Sequence, residues 1–351
     1  MKQVLIDLNR LKKTEYNGLY QFSKYLGHNI AMLPQEEFQW NFYLPKNKFG
    51  MFGSDVKYIL HKSVHKVYMP NTNKFDVWHV TNQVSWYRPF NNHTRVVFTI
   101  HDLNFLIDDK KNISRNKRLL KTIQERIDRC HHLTAISKFA RQQVLNYLDT
   151  GDKPFSVIYN GCSVTEFPGF NQPVYRPLKP FLFSIGVVEK RKNFHVLPAL
   201  LVGNNYELII AGSTEDDYAL KVISVANKMG VSSRLKLVGA VSEKDKFWYY
   251  KNCLAFCFPS YAEGFGLPVI EAMHFGKPVF LSTETCLPEI GGKNAYYFSE
   301  FDPVYMKEVF ETGMHDYERS NAKESIITFA AKYNWMRAAE EYCQVYKQVL
   351  S

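Results

Sequence analysis

Short apolar runs alternate with longer amphipathic segments along the first half of the chain. Helical periodicity occupies 114–130 and 137–148, and each of these segments is flanked by runs rich in β-branched or aromatic residues. Such alternation of strand and helix predicts a parallel, doubly wound sheet. The predicted strands are VLIDL (4–8), DVWHV (76–80), RVVFTI (95–100), HLTAI (132–136) and FSVIY (155–159).

A second series of the same kind follows a proline-rich joint. Residues 161–180 carry four prolines and no hydrophobic period, which predicts a linker. We therefore expect two Rossmann-like domains, 1–168 and 178–332, followed by an amphipathic helix over 335–350. The strands predicted in the second series are FLFSIG (181–186), YELIIAG (206–212), RLKLVG (234–239), LAFCF (254–258), PVFLS (278–282) and AYYF (295–298).

One stretch of the second series, SYAEGFGLPVIEAMHFG (260–276), combines two glutamates with a helix start. Pro268 suits the first turn of a helix that begins near Leu267 and ends at Gly276. Glu263 precedes that helix, where free N–H groups and the helix dipole favour an anion. Glu271 lies one turn inside, off the buried face. The stretch is either a ligand site built from two carboxylates or a solvated helix behind an acidic loop. The predicted buried face is Val269, Ile270, Ala272 and Met273.

A basic pair, Arg191 and Lys192, follows the strand that ends at Gly186. We predict a helix from about Asn193, and cations at a helix start oppose its dipole unless an anion lies between them. Guanidinium and ammonium groups together suit a diphosphate. The alternative is a solvated basic loop.

The charge of the chain is concentrated in its first half. Residues 1–170 contain 24 Lys and Arg against 14 Asp and Glu, whereas the remainder is balanced, so the net charge of +10 lies entirely in the first half. That half should meet an anionic partner, such as a membrane surface or a phosphate-bearing acceptor. No helix-turn-helix, zinc or RNP-like pattern is present, so we predict no nucleic-acid partner.

Other features bear on the location of the protein. The N-terminal apolar run is too short for a signal peptide, and no apolar stretch is long enough to span a membrane. The six cysteines are scattered, as expected of reduced thiols in a cytoplasmic protein. The segment KYILHKSVHKVYM (57–69) is predicted to be a helix, either resting on anionic lipid at the inner membrane face or simply half-exposed.

The sequence EGFGLPVIE resembles the E-x7-E motif of the family-4 retaining glycosyltransferases, of the bacterial surface-polysaccharide or lipopolysaccharide type. This family has the GT-B fold: two Rossmann-like, doubly wound parallel-sheet domains face a cleft, and the C-terminal helix, here 335–351, crosses back to the first domain. The resemblance implies that Glu263 holds the donor sugar with the loop after it and that Glu271 binds the ribose of the nucleotide. That loop consists of Gly264, Phe265, Gly266 and Leu267.

Further motifs carry the same resemblance. GVVEKRKNF is similar to the family stretch whose Arg and Lys bind the donor pyrophosphate, here Arg191 and Lys192, although Val187 stands where many members have Arg. TIHDLNF resembles the segment whose His, here His101, lies beside the donor sugar and the acceptor hydroxyl; a lone His is otherwise a structural group. Val241 matches the position that contacts the base, and Gly18 is what survives of the glycine loop that touches the phosphate. Ser137 is expected to cap a helix.

The resemblance implies a retaining transferase that moves a hexosyl group from a GDP- or UDP-linked donor to an anionic glycan or lipid-linked acceptor. His101, Glu263, Arg191 and Lys192 would be the catalytic set, with the nucleotide sugar as co-substrate and neither a cofactor nor a metal. The chain contains no D-x-D, G-x-S-x-G, Walker A or G-x-G-x-x-G motif. Alternatives are a sugar-nucleotide epimerase, a soluble disaccharide synthase or a non-catalytic nucleotide-sugar-binding protein.

Overall fold

The computed structural model describes residues 1–13, 18–108, 112–214 and 217–351. The chain forms two compact units, Met1–Gly161 with Tyr333–Ser351, and Cys162–Lys332. Each is an open parallel sheet with helices between its strands, so the predicted α/β fold class is confirmed. The sequence also predicts a turn at Asn17 and Gly18, and Asn17 lies outside the described residues. None of the helices in the described ranges has the length and apolar composition to cross a membrane.

The first unit is built on a seven-stranded sheet with the order β3-β2-β1-β4-β5-β6-β7. The chain adds β2 and β3 on one side of β1 and then continues from β4 on the other side. The strand order therefore reverses between β1 and β4, which is where open α/β sheets bind ligands. The strands are β1 Lys2–Asp7, β2 Phe38–Leu44, β3 Lys57–Leu60, β4 Val77–Val80, β5 Arg95–Ile100, β6 His132–Ala135 and β7 Phe155–Val157; the helices are α1 Gly18–Ala31, α2 Phe105–Asp108, α3 Ile113–Ile127 and α4 Lys138–Tyr147.

Two strands differ from the sequence expectations. β2 was not predicted from the sequence; its residues, FQWNFYL, alternate between apolar and polar from Phe38 to Phe42, yet the strand is almost wholly buried. The predicted helix over 57–69 is wrong: this segment is the edge strand β3, followed by a 3-10 turn at Ser63–Lys66. β3 pairs with β2 and so supplies hydrogen-bond partners along the outer side of β2. Tyr58 anchors β3, because its hydroxyl accepts a hydrogen bond from Phe52 N and donates one to Gly53 O.

Helix α11, Trp335–Leu350, belongs to the first unit and has the predicted bounds. Its aromatic face covers the middle of the sheet: the Tyr346 hydroxyl is 2.8 Å from His79 Nδ1. At its start, Trp335 stacks on Tyr25 of α1 with ring centroids 5.9 Å apart. A Cβ at Gly161 would lie 2.1 Å from Trp335 N, so only glycine permits this close approach. The predicted return of the C-terminal helix to the first domain is confirmed.

The second unit contains a six-stranded parallel sheet with the order β10-β9-β8-β11-β12-β13. All six predicted strands are present, and the order reverses between β8 and β11. The strands are β8 Phe181–Ile185, β9 Glu207–Ala211, β10 Leu235–Gly239, β11 Ala255–Phe258, β12 Val279–Ser282 and β13 Tyr296–Phe298; the helices are α5 Tyr218–Lys228, α6 Glu243–Asn252, α7 Leu267–His274, α8 Leu287–Gly291, α9 Pro303–Ser320 and α10 Lys323–Ala330.

Two connections of this unit also bear on the predictions. Residues 161–180, all of them described, contain no helix or strand, and the Tyr175 hydroxyl ties this segment to Glu207 on β9 at 2.5 Å. The α-helix predicted near Asn193 is instead a 3-10 helix, Phe194–Leu201. Asn193 is in the left-handed region and Pro198 has no N–H to donate, so neither supports an α-helical start.

Candidate functional site

The predicted donor-site residues lie where the strand order of the second unit reverses. Arg191 and Lys192 follow β8, and Glu263 follows β11, its neighbour in the sheet. Because parallel strands present their carboxyl ends at one edge, the two loops meet there. A backbone hydrogen bond joins them: Tyr261 N donates to Arg191 O at 2.8 Å, and Ser260 Oγ lies 3.1 Å from the same oxygen.

Glycines end the three strands on one side of this edge. Gly186, Gly212 and Gly239 have φ values of 148°, 141° and 72°, which side-chain-bearing residues rarely adopt. A Cβ at Gly212 would lie only 1.8 Å from Gly186 O. Gly212 N also donates to Gly239 O at 2.7 Å. The strand ends therefore pack backbone against backbone, and the Lys192 side chain lies directly against Gly186.

The strongest contact of the site joins Lys192 to Glu263. Lys192 Nζ lies 2.6 Å from Glu263 Oε1, and their side chains are 9% and 10% exposed. Ser260 Oγ donates to the same carboxylate oxygen at 2.6 Å. Neither hydrogen bond uses Glu263 Oε2, so this oxygen is left to accept from a ligand. The family resemblance implies that Lys192 binds the diphosphate and that Glu263 binds the sugar. In the structure these two side chains contact each other.

Arg191 is oriented by a carboxylate and a carbonyl. Its Nε lies 2.6 Å from Glu189 Oε1, and its Nη1 donates to Ala262 O at 3.3 Å. The side chain is 35% exposed, so the guanidinium group borders solvent. Glu189 was not among the predicted residues, although its place two positions before the arginine in GVVEKRKNF was a signal for this role.

Helix α7 has the predicted bounds and caps. Gly266 before it has a φ of 90°, and Pro268 occupies its first turn. At its end, Gly276 N donates to Met273 O at 2.9 Å and Lys277 N donates to Ala272 O at 3.3 Å, which is the Schellman arrangement. The loop before the helix is well packed, since Phe265 is buried. Glu263 therefore lies in the loop just before α7, and Glu271 lies within that helix.

Both carboxylate oxygens of Glu271 are engaged by α6. Lys246 Nζ lies 2.8 Å from Oε1, and the Tyr250 hydroxyl donates to Oε2 at 2.9 Å. Burial alone would lower the pKa of Lys246, but attraction and hydrogen bonding to Glu271 raise that pKa above its usual value. Neither Lys246 nor Tyr250 was predicted as a partner of Glu271. Their spacing of four residues places them on one helix face and could have indicated that they act together. Val241, the predicted base contact, is buried just before α6.

In the first unit, His101 lies at the carboxyl end of β5 and is almost fully buried. Its Nε2 is 2.8 Å from Thr81 O, and a carbonyl can only accept, so Nε2 carries the proton and Nδ1 is an acceptor. Burial is the main cause that lowers the pKa of His101 to about 4, which keeps the ring neutral at pH 7. The residue has a structural partner and keeps one nitrogen for a ligand hydroxyl.

Two other predicted residues of the first unit have simpler surroundings. Gly18 is exposed at the start of α1, and a Cβ there would meet nothing within 4 Å. Ser137 caps α4 as predicted, since its Oγ accepts from Ala140 N at 3.0 Å. His101 and Gly18 belong to the first unit, and the remaining predicted donor-site residues belong to the second.

Comparison with known families covers most of the chain. Residues 40–166 match the model described as Glycosyltransferase Family 4, and residues 170–328 match the model described as Glycosyl transferases group 1. The serotype-specific mannosyltransferase WbdA of Escherichia coli is 28% identical over 229 residues, which is 60% of this chain. The chain spans only 28% of the length of that relative.

Two further proteins extend the comparison. The O-antigen chain mannosyltransferase B of Escherichia coli is 25% identical over 271 residues, covering 72% of this chain and 70% of the relative. Among solved structures, Anabaena Alr3699/HepE in complex with UDP superposes with a TM-score of 0.70 at 14% identity, covering 99% of this chain and 100% of the other. At that identity the likeness is one of fold.

Proposed function

Because the chain belongs to the glycosyltransferases that combine a Family 4 domain with a group 1 domain in the GT-B fold, we propose that it transfers a hexosyl group from a nucleotide diphosphate sugar to a membrane-associated glycan or glycolipid acceptor. We further propose that transfer retains the anomeric configuration and serves cell-surface polysaccharide biosynthesis. The mannosyltransferase names of the two Escherichia coli relatives favour a mannosyl donor, linked to GDP or UDP.

The observation that carries the proposal is the pairing of Lys192 with Glu263 at the strand reversal of the second unit. A buried ammonium that shares one carboxylate oxygen keeps N–H donors for a phosphate, and the second oxygen can accept from a sugar hydroxyl. Glu271 is one turn of helix away, fixed by Lys246 and Tyr250, where it can accept from the ribose hydroxyls. Phosphate, sugar and ribose functions thus fall on one rigid edge.

In the proposed reaction the acceptor oxygen attacks the anomeric carbon while the bond from that carbon to the diphosphate oxygen breaks. The acceptor proton passes to the departing phosphate on the same face of the sugar, which gives retention. Arg191 and Lys192 neutralise the charge that develops on the diphosphate. Glu263 and the backbone at Phe265 and Gly266 orient the sugar, and neutral His101 positions a sugar or acceptor hydroxyl. The proposal assigns no step to a metal or a cofactor.

The proposed acceptor is supported by the distribution of positive charge along the chain. The excess of 10 positive charges lies within residues 1–170, which suits an anionic acceptor at the cytoplasmic face of a membrane. A sugar-nucleotide epimerase or a soluble disaccharide synthase has no need of such a surface. A non-catalytic nucleotide-sugar-binding protein would keep the donor site without turnover.

A thermal-shift screen with GDP-mannose, UDP-glucose and dTDP-glucose tests the donor site. We expect one of them to raise the melting temperature of the wild-type protein. Glu271→Gln should weaken that donor about tenfold or more by loss of a charge-assisted hydrogen bond, whereas Glu318→Gln, an exposed glutamate of α9, should not.

The outcomes separate the candidate functions. Absence of any shift with all three donors would contradict the donor site itself. Conversion of the bound donor without any acceptor, followed by NMR, would favour the epimerase. Binding without transfer to lipid-linked or soluble glycans would favour the non-catalytic protein.

A further inference from the structure

The strand reversal of the first unit, between β1 and β4, carries a cluster that the proposed chemistry does not use. Arg10 follows β1, and the loop after β4 contains Asn82 and Trp86. Arg126, from the last turn of α3, reaches the same loop. Open α/β sheets bind ligands at this position, so the cluster lies where a ligand of the first unit is expected.

Two guanidinium groups bind neighbouring residues of this loop: Arg10 binds the side chain of Asn82, and Arg126 binds the carbonyl of Gln83. Burial is the main cause that lowers the pKa of Arg126 to about 10, and the positive charge of Arg10 contributes. Burial likewise lowers the pKa of Arg10. Two carboxyl groups face the arginines: Asp7, whose pKa burial raises to about 6 and which accepts from Asn9 and Ser85, and Glu125, whose charge raises the pKa of Arg126. The two guanidinium groups are therefore partly removed from water and lie close enough for the charge of Arg10 to act on Arg126.

The arginines keep donors for a ligand. Arg10 donates from Nε and Nη2 to Asn82 Oδ1, at 3.2 and 2.9 Å. Arg126 donates from Nη1 to Gln83 O. The other N–H groups of both guanidiniums have no acceptor among the described residues, and neither does the buried Nδ2 of Asn82. Two planar, partly desolvated guanidiniums are a suitable receptor for an oxyanion.

Trp86 adds an apolar surface beside these donors. It is 60% exposed, although most aromatic side chains of this unit are buried. The Arg126 guanidinium carbon lies 5.3 Å from the centroid of the indole ring, so the arginine packs against the ring. An exposed, oriented indole is suited to pack against the C–H face of a pyranose, as aromatic side chains with one apolar face do at wet interfaces.

We propose that Arg10, Arg126 and Trp86 form the acceptor subsite, in which the guanidinium pair binds an oxyanion of the acceptor and the indole packs on the adjoining sugar ring. The oxyanion is a phosphate of a lipid-linked or phosphorylated glycan, or the carboxylate of an acidic sugar. This inference rests on the proposed function, since it names the class of acceptor that a glycosyltransferase would use. It assigns a role in binding and none in the chemical step.

Transfer assays with three acceptor probes test the subsite: a hexose phosphate, a hexuronate and a neutral methyl hexoside. For Arg126→Gln and Arg10→Gln we expect acceptor KM values about tenfold to a hundredfold higher with whichever anionic probe is used, at unchanged donor KM. The neutral probe should be equally poor with wild-type and variant proteins. The preference between phosphate and carboxylate in the wild type identifies the source of the oxyanion.

Matched variants separate binding from folding. Arg118→Gln removes an exposed arginine of the same helix and should leave every KM unchanged. Trp86→Leu changes an exposed residue, so it should melt like the wild type and still raise the KM of all three sugar probes. If Arg126→Gln fails to fold because the loop loses its brace at Gln83, Trp86→Leu and Arg10→Gln carry the test.

Some results would overturn the inference. Equal acceptor KM values for Arg10→Gln, Trp86→Leu and the wild type would show that the cluster only braces its loop. A rise in donor KM alone would assign the arginines to the donor diphosphate. Failure of the proposed function is recognised separately, because then no donor would stabilise even the wild-type protein.

Discussion

Removal of the Lys192 ammonium should destabilise the second unit strongly in the absence of any ligand. In Lys192→Met the chain keeps most of its volume, but the Glu263 carboxylate stays buried with Ser260 as its remaining partner. Breaking a buried ion pair at one end costs about 3–5 kcal/mol. For a unit of this size about 2–4 °C of melting temperature corresponds to each kcal/mol, so we expect a fall of about 6–20 °C.

A double-mutant cycle with Glu263→Gln isolates the pair. Glu263→Gln leaves the ammonium without its carboxylate, whereas the double variant removes both charges and should cost less than the sum of the single changes. The matched control is Lys251→Met, which breaks a surface pair whose side chains are 61% and 64% exposed and should change stability by less than about 1 kcal/mol.

Calorimetry of the four proteins measures these effects, and the two units call for separate analysis of each transition. Additive effects of Lys192→Met and Glu263→Gln would refute the ion pair and with it the rigid edge on which the donor site depends. A fall in stability no larger than that of Lys251→Met would refute the estimate of its magnitude.

Two further predictions concern the strand ends. Gly212→Ala should lower the free energy of unfolding by more than about 3 kcal/mol, because its Cβ would collide with Gly186 O. Gly230→Ala, at a φ of 69° with open space around it, should lower it by about 1 kcal/mol. Urea unfolding compares the two variants, and equal losses of stability would contradict the close packing at Gly212. Asp7 has a pKa of about 6 against an ordinary 3.8, mainly because it is buried, so the folded state binds its proton more tightly and stability falls as pH rises from about 4 to 6. Asp7→Asn should remove this loss of about 3 kcal/mol, measured by unfolding at pH 4 and pH 7, and an unchanged slope would contradict the assignment.

The sequence was most informative where one residue type has few permitted conformations. Gly266, Pro268 and Gly276 predicted both ends of α7, because glycine and proline restrict where a helix can begin and end. Eleven of the thirteen strands found in the described residues were predicted, since buried parallel strands appear as short apolar runs bounded by turn residues. β3 was mistaken for a helix because it is only four residues long, and the lysines at 62 and 66 that make the segment look amphipathic lie after the strand.

The hydrogen-bond and ion-pair partners of the site residues could not be predicted from local sequence patterns. Lys192 and Glu263 are 71 positions apart, and only the sheet order makes their loops neighbours. Lys246 and Tyr250 bind Glu271 because α6 packs beside α7, which no local pattern records. The type of each site residue could therefore be inferred from the sequence, while its hydrogen-bond partners required the sheet order.

The return of α11 to the first unit has a consequence for the order in which the chain can fold. The second unit is continuous, so all of its contacts are available once residue 332 has been synthesised. The first unit has to wait for 333–351, because His79 and Thr99 of its sheet find their tyrosine partners only on α11. The later half of the chain can thus reach its native state while the earlier half still exposes its central strands. The unit whose strands are synthesised first is therefore the last to be completed. Its incomplete sheet is the surface to which a chaperone would bind.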